Sequence, residues 1–424
     1  MFRVGTVVSK EVGVTAADRQ KIAIVGGCGH IGLPLGLVLA DHGFPVTLFD
    51  INSAAVDLVN AGSMPFGENG AQPVLTRCIG TLLHATTDAA AIEDVDIVVI
   101  VVGTPVDEHY NPNLAVVPSS VSDLLPHLRD GQLLILRSTL FPGTTRLVFE
   151  LLAQSGKRVG VAFCPERIAE GEAIHELTEL PQIVSAYDTR SLARAKELFG
   201  TLTDDLVELD PEEAELAKLF TNSWRYIKFA IANQLYMIAS SFGLDYEHIR
   251  SAITYKYPRA ADLAQAGFVA GPCLLKDTMQ LAAFNNNEFL LGHAAMMVNE
   301  GLPLHLVSSI EQTYDLSGMT VGVLGMAFKA DSDDNRDSLS YKLKKVLQFK
   351  AKKVLCHDPF VKNDPSLVDL DTLLKEADLL VIGAPHSLYQ NLATELPIID
   401  IWGSVRPGSV AALHDGDMSL PAVQ

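Results

Sequence analysis

The sequence is poor in three features that mark common classes of protein. Its five cysteines among 424 residues are odd in number and scattered, without the spacing of a disulfide framework or a zinc site. Lysine and arginine total 32 against 51 acidic residues, and the resulting net charge of −19 argues against nucleic acid or a membrane surface as partner. Uninterrupted apolar runs stay well short of the roughly 18 residues of a membrane span, and residues 1–20 lack a signal-peptide core. These absences predict a globular protein of the reducing cytoplasm.

The clearest motif follows the first apolar run. Residues 21–25 predict a buried parallel strand, and residues 27–32, Gly-Cys-Gly-His-Ile-Gly, match the pattern G-x-G-x-x-G. A helix is predicted at 33–40 and a second strand at 45–49, ending at Asp50. Such a turn presents a helix N-terminus to a pyrophosphate, and a carboxylate about 20 residues later suits ribose hydroxyls. The pattern predicts NAD binding, because Asp50 would repel the extra phosphate of NADP.

Two later apolar runs, at 96–102 and 132–136, predict further parallel strands that end in polar turns. Thr104 follows the first run, and Ser138 and Thr139 follow the second. Ligands in this architecture bind at the carboxyl ends of strands. These residues can also serve only to form turns, because Gly, Pro, Ser and Thr are common in the turns between strands and helices of α/β proteins.

Two polar segments allow both an ordinary and a functional interpretation. Residues 163–171 carry two carboxylates four positions apart, the first being Glu166, a spacing typical of a solvated helix face. Residues 328–338 form an acidic run of the kind found in solvated loops, yet Lys329 and Arg336 at its edges are suited to gripping phosphates.

The middle of the chain is predominantly helical. Residues 212–242 predict one long helix, on which Lys218, Asn222 and Arg225 share a face. Apolar neighbours such as Trp224 predict that this helix is buried, so its cations require counter-charges or an anionic ligand. Helical sequence resumes around 278–298.

The C-terminal part repeats the opening pattern in shorter form. Gly322 and Gly325 are predicted at a turn and Asp358 after the next strand, but the third glycine of the motif is missing. This predicts a nucleotide-like ligand without a second dinucleotide motif. Strands are predicted at 320–324, 353–358, 378–382 and 397–400.

Between these regions lies a cysteine loop, residues 271–277, Gly-Pro-Cys-Leu-Leu-Lys-Asp. A cysteine among apolar residues is more often a small buried hydrophobe. Beside a hydride acceptor, however, the thiolate of Cys273 can trap an aldehyde as a thiohemiacetal and then hold a thioester for water to cleave. Lys276 is placed to stabilise the thiolate, and Asp277 to position or deprotonate water.

Together these segments resemble the UDP-glucose/GDP-mannose dehydrogenase family of nucleotide-sugar 6-dehydrogenases over nearly the whole chain. Their order along the chain makes the resemblance far more specific than any single motif. They are residues 27–34, 103–105, 138–139, 142–144 and 165–167, Lys218 with Asn222, residues 273–277, and Phe328 and Lys329 with Arg336.

The resemblance implies an α/β fold in which two Rossmann-like domains are joined by a central helical region with a long helix. The implied boundaries are 1–209 for an NAD-binding domain, 210–315 for a helical dimerisation and catalytic domain, and 316–424 for a UDP-sugar-binding domain. It also implies NAD as cofactor, a UDP-sugar substrate, no metal, and a homodimer or higher homo-oligomer.

The resemblance also implies a role for each site residue. Cys273 is the nucleophile, Lys218 and Asn222 stabilise the alkoxide or oxyanion, Asp277 assists proton transfer, and Glu166 and Thr139 manage the hydrolytic water. The cofactor-binding residues are Gly27, Gly29, His30, Ile31, Gly32, Asp50, Thr104, Thr139 and Lys276. The substrate-binding residues are Glu166, Arg167, Lys218, Asn222, Arg225, Arg259, Phe328, Lys329 and Arg336.

Several residues favour the branch of the family that acts on UDP-N-acetylhexosamines. Residues 222–225 with 230–233, and residues 164–167, resemble that branch more than the UDP-glucose branch. Two positions depart from the family pattern: Pro272 stands in a run that is usually glycine, and Gln234 replaces a usual glutamate. Proline stiffens the cysteine loop through its fixed φ.

Three alternatives to this interpretation have distinct signatures. A UDP-glucose 6-dehydrogenase differs in the sugar alone. A one-step dehydrogenase of the 3-hydroxyacid type would release one NADH per substrate, with Cys273 in the core. A non-catalytic nucleotide-sugar sensor would produce no NADH.

Overall fold

The computed structural model describes residues 19–107, 112–269, 271 and 273–405, so Pro272, with its predicted stiffening of the cysteine loop, lies outside the described residues. The chain divides into two compact units after Thr221. Each unit contains a sheet with helices packed on it, as the α/β interpretation predicts. The domain boundaries at 209/210 and 315/316 stay predictions.

The first unit is built on an eight-stranded sheet. Its strands are β1 (Ile22–Val25), β2 (Val46–Phe49), β3 (Leu83–Thr86), β4 (Ile97–Ile100), β5 (Leu133–Leu136), β6 (Gly160–Phe163), β7 (Gln182–Ala186) and β8 (Leu206–Glu208). They lie in the order β3-β2-β1-β4-β5-β6-β7-β8, and every neighbouring pair is parallel except β6 with β7. The first six strands have the order of a doubly wound dinucleotide-binding sheet.

The central strands β1, β4 and β5 are buried along their whole length, which explains their continuous apolar sequence. Helices cover both faces of the sheet, and a separate apolar cluster fills each side. These helices are α1 (Gly32–Asp41), α2 (Ser53–Asn60), α3 (Ala71–Cys78), α4 (Val116–Leu124), α5 (Thr144–Gln154), α6 (Ala173–Glu179) and α7 (Thr189–Phe199).

A buried carboxylate from the start of the long helix α8 (Pro211–Ser241) caps α5. Glu215 Oε1 accepts the Thr145 N–H at 2.7 Å and the Thr145 hydroxyl at 2.6 Å, while Oε2 accepts the Gly143 N–H at 2.6 Å. Glu215 is 1% exposed, and this burial raises its pKa. The N–H groups of Gly143 and Thr145 at the start of α5 therefore depend on one side chain.

Replacing Glu215 with alanine should lower the free energy of unfolding by about 2 kcal/mol, because it leaves two buried donors of Thr145 and the half-buried Gly143 N–H without their acceptor. The measurement is the midpoint of urea unfolding. Glu197→Ala, at an exposed position on α7, is the control and should leave the midpoint unchanged. Equal midpoints for the two variants would show that the cap contributes nothing.

The second unit combines helices with a smaller sheet. After α8 come α9 (Tyr246–Thr254), α10 (Leu274–Phe284), α11 (Leu290–Glu311), β9 (Thr320–Leu324), α12 (Leu339–Gln348), β10 (Lys353–His357), α13 (Leu370–Glu376), β11 (Leu379–Ile382) and β12 (Ile398–Ile399). The four strands are parallel in the order β10-β9-β11-β12, which matches the first four strands of the doubly wound order 2-1-3-4-5. This confirms the predicted second Rossmann-like region.

One local prediction in this unit is incomplete and another is wrong. The helical sequence predicted around 278–298 forms two helices, α10 and α11, because Asn286 and Asn287 adopt φ values of +52° and +60° and interrupt it. Gly322 lies inside β9 rather than at a turn, where an added Cβ would come within 2.6 Å of Leu373. Gly325 makes the turn itself, with φ +93°.

The prediction that α8 is buried is also wrong over one face. Trp224 is 55% exposed and Arg225 is exposed, so Arg225 needs no buried counter-charge. Asn222 is buried, as expected for its side of the helix. No helix within the described ranges is long and apolar enough to cross a bilayer.

Candidate active site

The glycine turn after β1 has the shape that a bound dinucleotide requires. An added Cβ would lie 2.7 Å from the Ile24 carbonyl oxygen at Gly27 and 2.3 Å from the Gly26 carbonyl oxygen at Gly32, so packing alone demands glycine at both positions. At Gly29 the nearest atom would be 3.5 Å away. The backbone is therefore open at Gly29, where a pyrophosphate can approach closely.

Asp50 is fixed beside this turn at the end of β2. Its Oδ2 accepts the Cys28 N–H at 2.9 Å, and its Oδ1 accepts the Asn52 N–H at 3.0 Å. Burial, together with the charge of Asp50, raises the pKa of the Cys28 thiol to about 12, so this thiol is neutral. His30 stacks on Phe66 with ring centroids 4.0 Å apart.

The turn therefore fits NAD on geometric grounds. Gly27, Gly29 and Gly32 form the turn, His30 and the half-buried Ile31 follow Gly29, and Asp50 lies beside it, where its contact with ribose stays a prediction. Bound there, NAD supplies a hydride acceptor.

Thr104 and Thr139 lie at the same sheet edge, after the adjacent strands β4 and β5, and both are half-buried. The Ser138 hydroxyl donates to the Val102 carbonyl at 2.8 Å and joins the two loops. The structure thus brings these two predicted residues to the carboxyl edge that also carries the glycine turn.

Glu166 does not lie on a solvated helix face, because residues 164–169 form an irregular loop after β6. The carboxylate is buried, its Oε1 accepts the N–H groups of Arg167 at 2.7 Å and Ile168 at 3.0 Å, and its Oε2 pairs with Arg137. Its orientation is thereby fixed, as the predicted role in managing water requires.

Arg137, at the end of β5, is a residue that the sequence interpretation missed. It is 1% exposed, and its guanidinium donates to the Cys164 carbonyl and to Gln182 Oε1, both at 3.1 Å, and lies 4.6 Å from the Phe199 ring centroid. The available signal was a basic residue directly after an apolar strand. A buried guanidinium of this kind predicts a buried carboxylate partner.

The rest of the Glu166 loop is held by carboxylates as well. The Ala169 N–H donates to Glu176 at 2.6 Å, and the N–H groups of Gly171 and Ala173 each donate to Glu68 at 2.8 Å. Arg167 donates to the Pro181 carbonyl, and burial lowers its pKa. Its predicted contact with substrate stays a prediction.

Cys273 lies at the N-cap of α10, and of the five cysteines it alone is exposed. Its carbonyl accepts the Asp277 N–H at 2.9 Å, which starts the helix. A helix N-terminus stabilises an anion such as a thiolate. The prediction that this cysteine is reactive rather than a core residue therefore has a structural basis.

Asp277 is the centre of a polar cluster one helical turn from Cys273. It is fully buried, its Oδ2 accepts from Asn222 Nδ2 at 2.5 Å, and its Oδ1 pairs with Lys276 Nζ at 2.7 Å. Lys276 is thus engaged with Asp277, whereas its predicted contact with cofactor stays a prediction. On α8, Lys218 lies one turn before Asn222.

The cysteine loop contacts a predicted substrate residue directly. Gly271 has φ +95°, and an added Cβ would lie 2.8 Å from the Phe328 ring. Glycine is therefore required both by the left-handed backbone and by the ring. This packing joins the Cys273 loop to the Phe328–Lys329 segment.

The remaining predicted substrate residues are less closely grouped. Arg336 Nη2 pairs with the buried Asp334 at 2.5 Å, so the acidic run is an anchored loop rather than a freely solvated one. Lys329 is half-buried. Arg259 is exposed in the short turn Pro258–Ala260, with its guanidinium 5.6 Å from the Tyr257 ring centroid.

The predicted site residues are divided between the two units. The first unit holds Gly27, Gly29, His30, Ile31, Gly32, Asp50, Thr104, Thr139, Glu166, Arg167 and Lys218. The second holds Asn222, Arg225, Arg259, Cys273, Lys276, Asp277, Phe328, Lys329 and Arg336. Within the described residues, no group of three or more His, Cys, Asp or Glu side chains is arranged to hold a metal ion.

Comparison with known proteins accounts for nearly the whole chain. Residues 20–203 match the NAD binding domain of the UDP-glucose/GDP-mannose dehydrogenase family, residues 212–301 its central domain, and residues 322–407 its UDP binding domain. All three parts occur in the order predicted from sequence.

Individual relatives are similar over most of their length. A UDP-N-acetyl-D-mannosamine dehydrogenase of Methanocaldococcus jannaschii is 30% identical, with 89% of this chain and 88% of that protein covered. The protein of the same name from Escherichia coli K12 is 30% identical, with coverages of 86% and 93%. The structure of UDP-D-ManNAc dehydrogenase from Pyrococcus horikoshii superposes with a TM-score of 0.85 at 25% identity, covering 92% of this chain and 97% of that one. The chain therefore belongs to the UDP-glucose/GDP-mannose dehydrogenase family and is an NAD-dependent nucleotide-sugar dehydrogenase.

Proposed function

We propose that this protein oxidises the C6 hydroxymethyl group of a UDP-N-acetylhexosamine to the carboxylate in two steps through a covalent intermediate on Cys273. The observation that carries the proposal is the buried Asp277, held by Asn222 and Lys276 one turn from an exposed thiol at a helix N-terminus. A dehydrogenase that stops at a carbonyl needs a base and a hydride acceptor but no nucleophile.

The chain's own groups account for each bond change. In the first oxidation the hydroxyl loses its proton to solvent with the help of Asp277, its carbon gives a hydride to the nicotinamide acceptor, and Lys218 and Asn222 stabilise the negative oxygen. The Cys273 thiolate then adds to the aldehyde, and loss of a second hydride leaves a thioester. Water, oriented by Glu166 and Thr139, cleaves the thioester to the acid and restores the thiol. The sum consumes one alcohol, one water and two NAD, and yields the carboxylate, two NADH and three protons.

Different observations support the nucleotide and the sugar of the proposed substrate. The match of residues 322–407 to a UDP binding domain supports a uridine nucleotide, with Phe328, Lys329 and Arg336 as its contacts. The relatives named UDP-N-acetyl-D-mannosamine dehydrogenase support N-acetylmannosamine as the sugar. Arg225 and Arg259 are assigned to the substrate by resemblance.

The test is NADH release, with product mass, across UDP-ManNAc, UDP-GlcNAc, UDP-GalNAc, UDP-glucose, UDP-galactose and GDP-mannose. We expect two NADH per UDP-ManNAc and a kcat/KM at least about tenfold above that for UDP-glucose. One NADH per substrate would contradict the two-step reaction. A preference for UDP-glucose would contradict the sugar assignment alone.

We also propose that the protein is a homodimer whose subunits pair along α8. An apolar stripe recurs at helical spacing over about five turns of this helix. Its exposed members are Phe220, Trp224, Ile231, Leu235 and Ile238, and the exposed Phe242 follows directly after the helix. A second copy offers the same stripe, which a two-fold axis would bring face to face.

Light scattering after size-exclusion chromatography tests this pairing. The parent should elute with twice the mass of one chain, and Ile238→Glu should shift it to a single chain because the interface would bury a charge. Glu213→Lys, at an exposed polar position of the same helix, is the control. A parent that elutes as a monomer would exclude the dimer.

We propose a cytoplasmic location because of the state of the cysteines. All five cysteines are free thiols, and Cys273 is exposed. A reducing compartment keeps such a nucleophile active.

A further inference from the structure

A buried carboxylate lies beneath the turn that leads to Phe328 and Lys329. Asp358, which follows β10, is buried, and its Oδ2 accepts the N–H groups of Met326 at 2.6 Å and Ala327 at 2.9 Å. Its Oδ1 accepts two further N–H groups from residues 360–361, at 2.9 Å and 3.1 Å. Burial opposes ionisation of Asp358, but its hydrogen bond with His386, together with the backbone N–H donors, lowers its pKa below the usual value, so the carboxylate is ionised. One end of the segment 326–331 is thereby anchored.

The other end is anchored through His386, whose side chain is fully buried. Its Nδ1 lies 2.7 Å from the Asp331 N–H, and its Nε2 lies 2.9 Å from Asp358 Oδ2. A backbone N–H can only donate, so Nδ1 must be the unprotonated nitrogen and Nε2 carries the proton toward Asp358. One imidazole therefore joins both anchors of the segment.

Asp331, at the end of this segment, has a strained backbone conformation that the connection through His386 stabilises. Its φ is +51°, a left-handed conformation that a non-glycine residue adopts only when its surroundings compensate the strain. The Asp331 carboxylate accepts the Ser387 N–H at 2.9 Å and the Ser387 hydroxyl at 3.1 Å. Residues 386–387 thus bind Asp331 at both its backbone and its side chain.

We propose that His386 is a positioning residue for the nucleotide sugar. It ties Asp331 to Asp358 and so fixes Phe328 and Lys329, which lie between the two anchors, in the conformation that binds the uridine nucleotide. The inference rests on the proposed assignment of Phe328 and Lys329 to the substrate. His386 is buried beneath the segment and acts through the backbone.

The test uses two substitutions that each keep half of the imidazole's hydrogen bonding. His386→Gln reaches Asp358 with an N–H donor but offers no acceptor at the Nδ1 position. His386→Asn keeps an acceptor there for the Asp331 N–H. In isothermal titration of the full-length protein with UDP, the glutamine variant should bind about tenfold more weakly than the parent, and the asparagine variant should recover most of that loss.

Steady-state kinetics provide a second readout. The glutamine variant should raise the KM for the UDP-sugar with little change in kcat, and the affinity for NAD should stay within about twofold of the parent. Tyr389→Phe is the control, because it removes a hydroxyl that bonds His357 beside the same imidazole but leaves both anchors intact. Its affinity for UDP should match that of the parent.

The outcomes separate this inference from the function on which it rests. A parent that does not bind UDP would overturn the proposed substrate. A parent that binds UDP together with a glutamine variant that binds it equally would overturn the role of His386. If the variants do not fold, hydrogen exchange in the parent still decides: the Asp331 amide should exchange at least about 100-fold more slowly than an unprotected amide, and exchange at the unprotected rate would refute the connection.

Discussion

Cys273→Ser should lower the rate of uronic acid formation by at least about 1,000-fold while the affinities for NAD and UDP stay within about twofold of the parent. A serine hydroxyl in the same place is a far weaker nucleophile than a thiolate, so the aldehyde is not trapped and the thioester cannot form. Because Cys273 is exposed at the N-cap of α10, the substitution disturbs no core packing. The loss should therefore be confined to chemistry.

The measurement combines product mass, NADH release and titration of both ligands. Cys273→Ala is the companion variant, since it removes the heteroatom altogether and should match the serine variant in rate. Rapid quenching of the parent with UDP-ManNAc should reveal the mass of a sugar adduct on the peptide that contains Cys273. Uronic acid production by the serine variant at the parental rate would rule out the covalent route.

The dinucleotide turn could be predicted because each determinant is local in sequence. Gly27 and Gly32 are required by close contacts with the carbonyl oxygens of Ile24 and Gly26, a few residues earlier, and Asp50 follows the next strand. Apolar runs of four to seven residues likewise identified β1, β4 and β5, since central parallel strands are buried on both faces. Here sequence pattern and tertiary environment agree.

The environment of Glu166 could not be predicted, because its determinants are distant in sequence. A carboxylate pair four residues apart has the spacing of a solvated helix, and nothing local indicates that Arg137, 29 positions earlier, is buried beneath it. The adjacency of β5 and β6 brings the two together. Whether the Glu166 carboxylate is buried and paired thus depends on which strands are neighbours in the sheet, and the local sequence around Glu166 does not show this.

The apolar face of α8 misled the sequence interpretation for a related reason. Periodicity shows that Trp224 belongs to an apolar stripe, but it does not show what covers the stripe. Within one chain Trp224 is 55% exposed, whereas Asn222, two residues earlier, is buried. A helix face that is apolar and exposed fits a subunit interface better than a core.

Asp277→Asn should lower kcat about 100-fold with little change in the KM for the UDP-sugar. The asparagine keeps the shape of the side chain and can still accept from Asn222, but it cannot hold a proton transferred during the reaction. It also removes the carboxylate charge that pairs with Lys276. Both effects act on the transition state more than on substrate binding.

Asp262→Asn is the matched control, because Asp262 forms an ion pair with Lys228 in the same unit but is largely exposed. An exposed pair contributes little, so kcat and thermal stability should both match those of the parent. If Asp277→Asn keeps the kcat and the stability of the parent, Asp277 has no catalytic role.

Combining Asp277→Asn with Lys276→Met distinguishes a catalytic carboxylate from a structural ion pair. If the pair only maintains the fold, the double variant should recover stability and activity together, because both charges of the pair are removed at once. If Asp277 transfers protons, the double variant should recover stability but keep the 100-fold loss in kcat. The position of Asp277, one helical turn from Cys273 and bonded to Asn222 at 2.5 Å, supports the second outcome.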